Sequence, residues 1–355
     1  MKLDHKHYSL IDKALSRRSF LAGASGVAAA TVLSGCSNDG VVAPSTSSSS
    51  YTDADVLNFA LNLEYLEASF YLYAATGSGL ATADMQTPTG YTGTYTMGTV
   101  TKNSTVTAVQ GTTSAQQAII NEIAFEEQEH VRFLRAALGS SAVPMPNLDL
   151  TFFAPLATNL VPPVASFSPF ASFDAFLIGA FIFEDVGVTA YLGAAPLITA
   201  AGVTSGYLTA AAGILAVEAY HAAYVRTSLV GRAVAAGATS TTSSAYPYVG
   251  IANEVEVLRA ALTVGNSGAP GTSNTGNTGQ ASTSGSVEVP LSVPQSPAAT
   301  ATSAGIVAAD SAHAIAFART VNQVHHIVYG SATVGVKSGG FFPSGTNSIF
   351  ATTTA

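Results

Sequence analysis

With a single cysteine, at position 36 of 355 residues, this chain cannot close a disulfide within itself, so its stability has to come from packing in whatever compartment it occupies. The same lack excludes a cysteine-ligated iron centre of the rubredoxin type, which needs two Cys-x-x-Cys pairs. Tryptophan is absent and charged residues make up only 10% of the chain. Positive charge is the scarcer sign: 13 Lys and Arg face 21 Asp and Glu, a formal charge of −8. A protein that neutralises phosphates needs clustered Lys and Arg, so nucleic acid is not an expected partner. Hydrophobic residues supply 48% of the chain, enough for a sizeable core.

Much of the basic charge is concentrated at the N-terminus. Lys2, Lys6, Lys13, Arg17 and Arg18 precede a weakly apolar run from Phe20 to Ser34, the pattern of a secretory signal. Ser16-Arg17-Arg18-Ser19-Phe20-Leu21 resembles a twin-arginine export signal. Leu33-Ser34-Gly35-Cys36 resembles a bacterial lipobox, in which Cys36 would receive lipid and become the mature N-terminus. The apolar run is shorter than the ~20 residues a membrane span requires. The expectation is an exported, lipid-anchored protein of the periplasm or cell envelope, with residues 1–36 as the signal and the Ser- and Thr-rich residues 37–52 as a flexible tether. Removing residues 1–35 takes away five basic and two acidic residues, leaving a formal charge of −11.

The chemistry is concentrated in two short motifs. Glu127 and His130, and again Glu218 and His221, are spaced as Glu-x-x-His, which puts each pair on one side of a helix. Two further carboxylates, Glu64 and Glu184, sit in apolar runs and are each followed seven residues later by a tyrosine, Tyr71 and Tyr191. One Glu from each of two helices and Glu-x-x-His from each of two others is the ligand set of a di-iron or di-manganese site inside a four-helix bundle. The helical periodicity agrees. Leu57, Leu61, Glu64, Ala68 and Tyr71 form one stripe after the N-cap candidates Thr52 and Asp53, with Glu67 assigned to the solvent side. Ile120, Ile123, Glu127, His130 and Leu134 form a second stripe, after Ser114 as cap, while Glu122, Glu126, Glu129 and Arg132 fall on other faces. A third helix is expected over about Phe173–Gly193 and a fourth over about Thr209–Ala236, with Ile214, Glu218, His221 and Val225 on one face. The third is nearly all apolar, but Glu184 and Asp185 at its centre would be costly in lipid.

Between these helices, Gly77–Thr113 is Gly- and Thr-rich, with a hairpin expected around Tyr91–Tyr95. Gly139–Ser172 holds six prolines and reads as a long irregular crossover. A short helix is expected near Val255–Leu262. Residues 265–302, dominated by Gly, Ser, Thr, Asn and Pro, read as a disordered insertion. A C-terminal helix over about Ala304–Tyr329 carries His313, His325 and His326. The last two, about 100° apart on a helix, are read as surface or packing residues rather than ligands. A Gly- and Phe-rich tail, 331–355, closes the chain.

Asn62-Leu63-Glu64 with Tyr71, and Glu126-Glu127-Gln128-Glu129-His130, are similar to the first two helices of ferritins. The second Glu-x-x-His resembles bacterioferritins and rubrerythrins. Leu63-Glu64-Tyr65-Leu66-Glu67-Ala68 and Gly339-Gly340-Phe341-Phe342-Pro343 resemble the desiccation-related group of the ferritin-like superfamily. The resemblance covers roughly residues 53–236 and implies an all-α fold: a ferritin-like four-helix bundle over 53–264, an additional helix at 303–330 and a long crossover between helices two and three. It implies metal ligands at Glu64, Glu127, His130, Glu184, Glu218 and His221, with Glu127 and Glu184 bridging or chelating and with Tyr71 and Tyr191 hydrogen-bonded to ligands. It implies two Fe ions, or alternatively two Mn ions, reacting with O2 or peroxide. Three functions are consistent with it: a di-iron oxidoreductase of stress protection, a manganese catalase, or a non-enzymatic desiccation-related protein. The tether, the first loop and the insertion obstruct close shells, so a monomer or dimer is expected in place of a cage. Replacing Cys36 with Ala should release the protein from membranes into the soluble envelope fraction; membrane retention equal to wild type in fractionated cells would count against the anchor.

Overall fold

The structure, a computed structural model, describes residues 51–263, 287–294, 304–310 and 313–353. The export signal, Cys36 and nearly all of the tether lie outside the described residues, as does most of the expected insertion.

Four long helices make the bundle: α1 (Asp53–Thr76), α2 (Ser114–Leu138), α3 (Phe173–Ala194) and α4 (Tyr207–Ala235). Local chemistry sets where they begin. The Thr52 hydroxyl accepts from the Asp55 amide while the Asp55 carboxylate accepts from Thr52 N–H at 2.7 Å, a reciprocal cap. Thr113 and Gln116 repeat the arrangement for α2, so the cap falls one residue before the expected Ser114. Ser172 caps α3 through the Ala175 amide. Helix α1 stops at Gly77, whose φ of 73° is left-handed and suits a residue without Cβ.

Helix α1 packs most extensively on α2 and α3 on α4, with α1 also touching α3. Both α3 and α4 are long and apolar enough to cross a membrane by length and composition, with mean hydropathy of 1.6 and 1.3 over their most apolar windows. In α3 that window is 94% buried inside the protein, so its apolarity answers to the protein interior. Helices α5 (Tyr248–Thr263) and α6 (Val321–Val328) lie against α3 and against each other.

The 139–172 connection packs on the bundle through Val143, Met145, Leu148, Leu150 and Phe153, all buried. The Tyr65 hydroxyl donates to its Val143 carbonyl at 3.0 Å. The C-terminal tail supplies Phe341, which meets Phe152, Phe153 and Phe183 at centroid distances of 4.9–5.1 Å. Asn347 is tied to α1 by its amide, which donates to Asn62 Oδ1 at 2.8 Å.

Several expectations are corrected. No hairpin forms at Tyr91–Tyr95. Instead Val100–Thr101 pairs in parallel with Leu148–Asp149, because the first loop lies along the crossover and not back on itself. The expected helix at 304–329 is helical only over Val321–Val328; the described residues before it form bends, a turn and an isolated antiparallel bridge between Ala309 and Ala316. Within the span read as disordered, residues 287–294 are packed: Leu291 is buried and Glu288 pairs with Arg259 and Arg319. Helix α5 begins earlier than expected, at Tyr248. His325 and His326 are packing residues with no surface role, each 0% exposed. His325 stacks on Tyr329, and burial pulls its imidazole down to about 3, which keeps it neutral.

Candidate metal centre

The two Glu-x-x-His segments face each other across the bundle, one on α2 and one on α4, with Glu64 of α1 and Glu184 of α3 between them. All four carboxylates are at most 1% exposed; His130 and His221 are 8% and 5% exposed. Their donor atoms fall into two groups. In the first, one atom each from Glu64, Glu127, His130 and Glu218 lies within 4.8 Å of every other, and in the second the same holds for Glu127, Glu184 and His221. Glu127 belongs to both. Its two oxygens divide accordingly: Oε2 is 3.5 Å from His130 Nδ1 and Oε1 is 3.1 Å from His221 Nδ1. His130 Nδ1 also faces Glu64 Oε2 at 3.3 Å and Glu218 Oε1 at 3.7 Å, and His221 Nδ1 faces Glu184 Oε2 at 3.4 Å.

The seven-residue spacing of Glu and Tyr has a geometric meaning. Tyr71 of α1 donates its hydroxyl to Glu184 Oε1 on α3, and Tyr191 of α3 donates to Glu64 Oε1 on α1. Each helix thus carries one inward carboxylate and, two turns later, the tyrosine that fixes the other helix's carboxylate. Burial, with Glu184 beside Tyr71 and Glu64 beside Tyr191, pushes both phenols well above 10, so they stay protonated donors.

Despite this convergence, the facing atoms do not satisfy one another. Glu64 Oε2, both oxygens of Glu127, His130 Nδ1, Glu184 Oε2, both oxygens of Glu218 and His221 Nδ1 are buried and make no hydrogen bond. Buried polar atoms are ordinarily paired, and a group of orphaned acceptors aimed at one space fits cations. Without them, protons have to serve. Burial raises Glu64 to about 7 against the pull of His130, and raises Glu184 and, strongly, Glu218. Burial also opposes ionisation of Glu127, but its contacts with both imidazoles outweigh that and take it down to about 2. Burial works against imidazolium too, yet the neighbouring carboxylates prevail and lift His130 to about 11 and His221 to about 12.

Three features escaped the reading of the sequence. Glu67, assigned there to solvent, is 5% exposed and lines a cavity of about 20 Å³ with Leu63, Leu66, Phe183 and Phe341. Burial and the nearby carboxylates push it well above the usual carboxylate range. It is buried because α3, α6 and the tail close over the α1 face that a two-helix periodicity would leave open. Gly187 is the second: a Cβ there would collide with Glu218 Oε2 and sit 3.3 Å from Glu67 Oε1, so its bare backbone makes the room in which Glu218 reaches the centre. Third, Glu126, also read as lying off the buried stripe, accepts from His221 Nε2–H at 2.7 Å. Only a tertiary contact 95 residues away in sequence reveals it.

A second acidic triad, Asp185, Glu256 and Glu288, also has cation-like spacing. It is already neutralised: Asp185 pairs with Arg226 at 2.6 Å and Arg259 at 3.1 Å, Glu256 with Arg226 at 3.3 Å, and Glu288 with Arg259 at 2.6 Å and with Arg319. This network ties α3, α4 and α5 to Glu288 in the packed segment 287–294 and to Arg319, directly behind Glu184.

The sequence profile described as "Ferritin-like domain" matches residues 52–231, the segment that carries α1 to α3, most of α4 and all six converging residues. The chain belongs to the ferritin-like domain family. Among curated proteins, this ferritin-like chain is similar to the ferritin-like catalase Nec2 of Nesocodon mauritianus, 30% identical over 187 residues, 51% of this chain and 54% of that one. It is similar also to the desiccation-related protein PCC13-62 of Craterostigma plantagineum, 31% identical over 187 residues with the same coverage. The chain spans about half the length of the curated relatives it matches. No solved structure matches it. For a ferritin-like protein, a pair of buried carboxylate–histidine groups sharing one Glu suits a di-metal site, and the mixed O and N donors suit iron or manganese alike.

Two expected outcomes test this geometry. Gly187→Ala should displace Glu218 and weaken metal binding by about 10 to 100-fold, in the range of a change to ligand support, with helix content retained; a wild-type metal titration would contradict it. Stability should also depend on pH in opposite ways with and without metal. In the apo protein Glu64, at about 7 when folded and 4.5 ordinarily, holds a proton that the unfolded chain has lost, so stability falls as pH rises through that window. The histidines, at about 11 and 12 against 6.5, extend the loss to alkaline pH. Glu127 acts the other way only below 4.5. Metal requires deprotonated ligands, so the loaded protein should instead lose stability as pH falls. Thermal unfolding against pH checks this, and superimposable curves would mean that no buried metal site exists.

Proposed function

We propose that this protein is a di-iron oxidoreductase of the cell envelope that acts on Fe(II), O2 or peroxide in protection against stress. The observation that carries the reading is the set of orphaned donor atoms from four helices, all aimed at one buried space. Four carboxylates balance two divalent cations in charge, and the two histidines supply one neutral nitrogen each. A protein using the bundle only as a scaffold would gain nothing from four carboxylates buried together, because their desolvation would be uncompensated.

The chain's residues take distinct roles. Glu64, Glu218 and His130 would hold one ion, Glu184 and His221 the other, and Glu127 would lie between them. Tyr71 and Tyr191 orient Glu184 and Glu64 and present buried, protonated hydroxyls beside the centre. When bound, the ions would supply the electrons exchanged with O2 or peroxide. Phe70 and Phe176 pack on the Tyr71 ring, with Phe183 against Phe70, and these buried rings keep bulk water from that side of the centre.

A manganese centre that dismutates peroxide is the second reading, and similarity to a protein named a ferritin-like catalase favours peroxide as the reactant. Lipid on Cys36 would place the domain at the membrane, as a monomer or dimer.

Metal analysis of protein purified from its native envelope, joined to peroxide and Fe(II) turnover, tests the function. Two ions of iron or manganese per chain are expected. His130→Ala or His221→Ala should lower metal affinity by more than the roughly 10 to 100-fold typical of a group that only supports a ligand, and activity with it. Folded protein that carries no transition metal and takes none up would overturn the proposal.

A further inference from the structure

The two halves of the centre are alike in their ligand types but not in what stands behind the histidines. His221 Nε2 lies 2.7 Å from Glu126 Oε2. Glu126 precedes the shared ligand Glu127 on α2, so its carboxylate leaves the helix about 100° away from that of Glu127 and meets the outer edge of the His221 ring. A carboxylate at Nε2 holds a ring proton there, so Nδ1, which faces Glu127 and Glu184 at 3.1 and 3.4 Å, is the nitrogen that would give up its proton to bind an ion. His130 Nδ1 has its own three carboxylates in front, but among the described residues its other nitrogen has no hydrogen-bonded acceptor.

The surroundings differ too. Glu126 and His221 stand at the floor of a groove of about 330 Å³ between α2 and α4, with Glu122 on one wall and Val217, Tyr220 and Tyr224 on the other. The Glu126 side chain is 35% exposed, so solvent reaches the residue behind His221 while His221 itself stays buried.

We propose that Glu126 is a positioning residue which serves only one of the two metal positions, that of Glu127, Glu184 and His221, by fixing the His221 tautomer and ring orientation. The inference rests on the reading of the six converging residues as a two-metal centre. A carboxylate that accepts the outer N–H of a ligating histidine raises its basicity and holds it in place, and removing such a partner costs about 10 to 100-fold in metal affinity. Because Glu126 contacts one histidine alone, that loss falls on one ion. Glu122, one turn earlier on the same wall, touches neither histidine and serves as the control.

The test is a titration of the apo protein with Co(II), whose visible absorption reports its coordination, alongside the Glu126→Ala, Glu126→Gln and Glu122→Gln variants. Wild type should take up two ions. Glu126→Ala should weaken one of the two binding steps by about 10 to 100-fold and change the spectrum of that ion, while the other step stays within about twofold. Glu126→Gln keeps an acceptor oxygen without the charge and should lose less; it also carries the test if the Ala variant fails to fold. Glu122→Gln should match wild type. Equal weakening of both steps, or of neither, would overturn the role of Glu126. Wild-type protein that binds fewer than two Co(II) would overturn the two-metal reading itself, a separate outcome.

Discussion

Four carboxylates held out of water against one another are the constraint to which the rest of this structure answers. Each would be expensive alone, and their mutual repulsion adds to the cost. Relief comes from three sources within the chain: two imidazoles, two tyrosine hydroxyls and, in the absence of metal, protons taken up by Glu64, Glu184 and Glu218. None of these satisfies every donor atom, and that shortfall makes the space a cation site as well as a polar core.

Holding such a space open demands rigidity behind it. Behind Glu184 lies the arginine–carboxylate network of Asp185, Arg226, Glu256, Arg259, Glu288 and Arg319, whose charges alternate and so compensate one another in a desolvated setting. On the other side of α3, Phe341 from the tail packs among Phe152, Phe153 and Phe183, closing the bundle over Glu67. Segments far apart in sequence thus fix α3, the helix with the fewest polar residues and the one whose two adjacent acids do different work: Glu184 faces the centre and Asp185 faces the arginines. A rotation of α3 by about 100° would exchange those roles.

The six converging residues were legible from sequence because helical spacing leaves few choices. Glu127 with His130, and Glu218 with His221, must share a face, and Glu or His in an apolar stripe has to find partners inside. The two Glu-to-Tyr spacings were visible as well, although the exchange of partners between α1 and α3 was not. Glu67 went wrong for a physical reason. Its position is off the stripe that faces α2, and an isolated amphipathic pattern treats that side as solvent. In the folded chain α3, α6 and the tail cover it, so α1 is buried almost all round and no longer has an outside.

By itself, then, the sequence determined the helices, their inward stripes and the residue types that meet, because each depends on spacing within 25 residues or so of one helix. Tertiary structure alone decided that Glu126 backs His221, that Gly187 clears a path for Glu218, that residues 287–294 pack where composition argued disorder, and that only Val321–Val328 of the expected last helix is helical. These outcomes depend on contacts between residues 29 to 130 positions apart, as between Glu288 and Arg259 or between Arg319 and Thr189. No local periodicity encodes such contacts, since the energy that fixes them appears only when both partners lose water together.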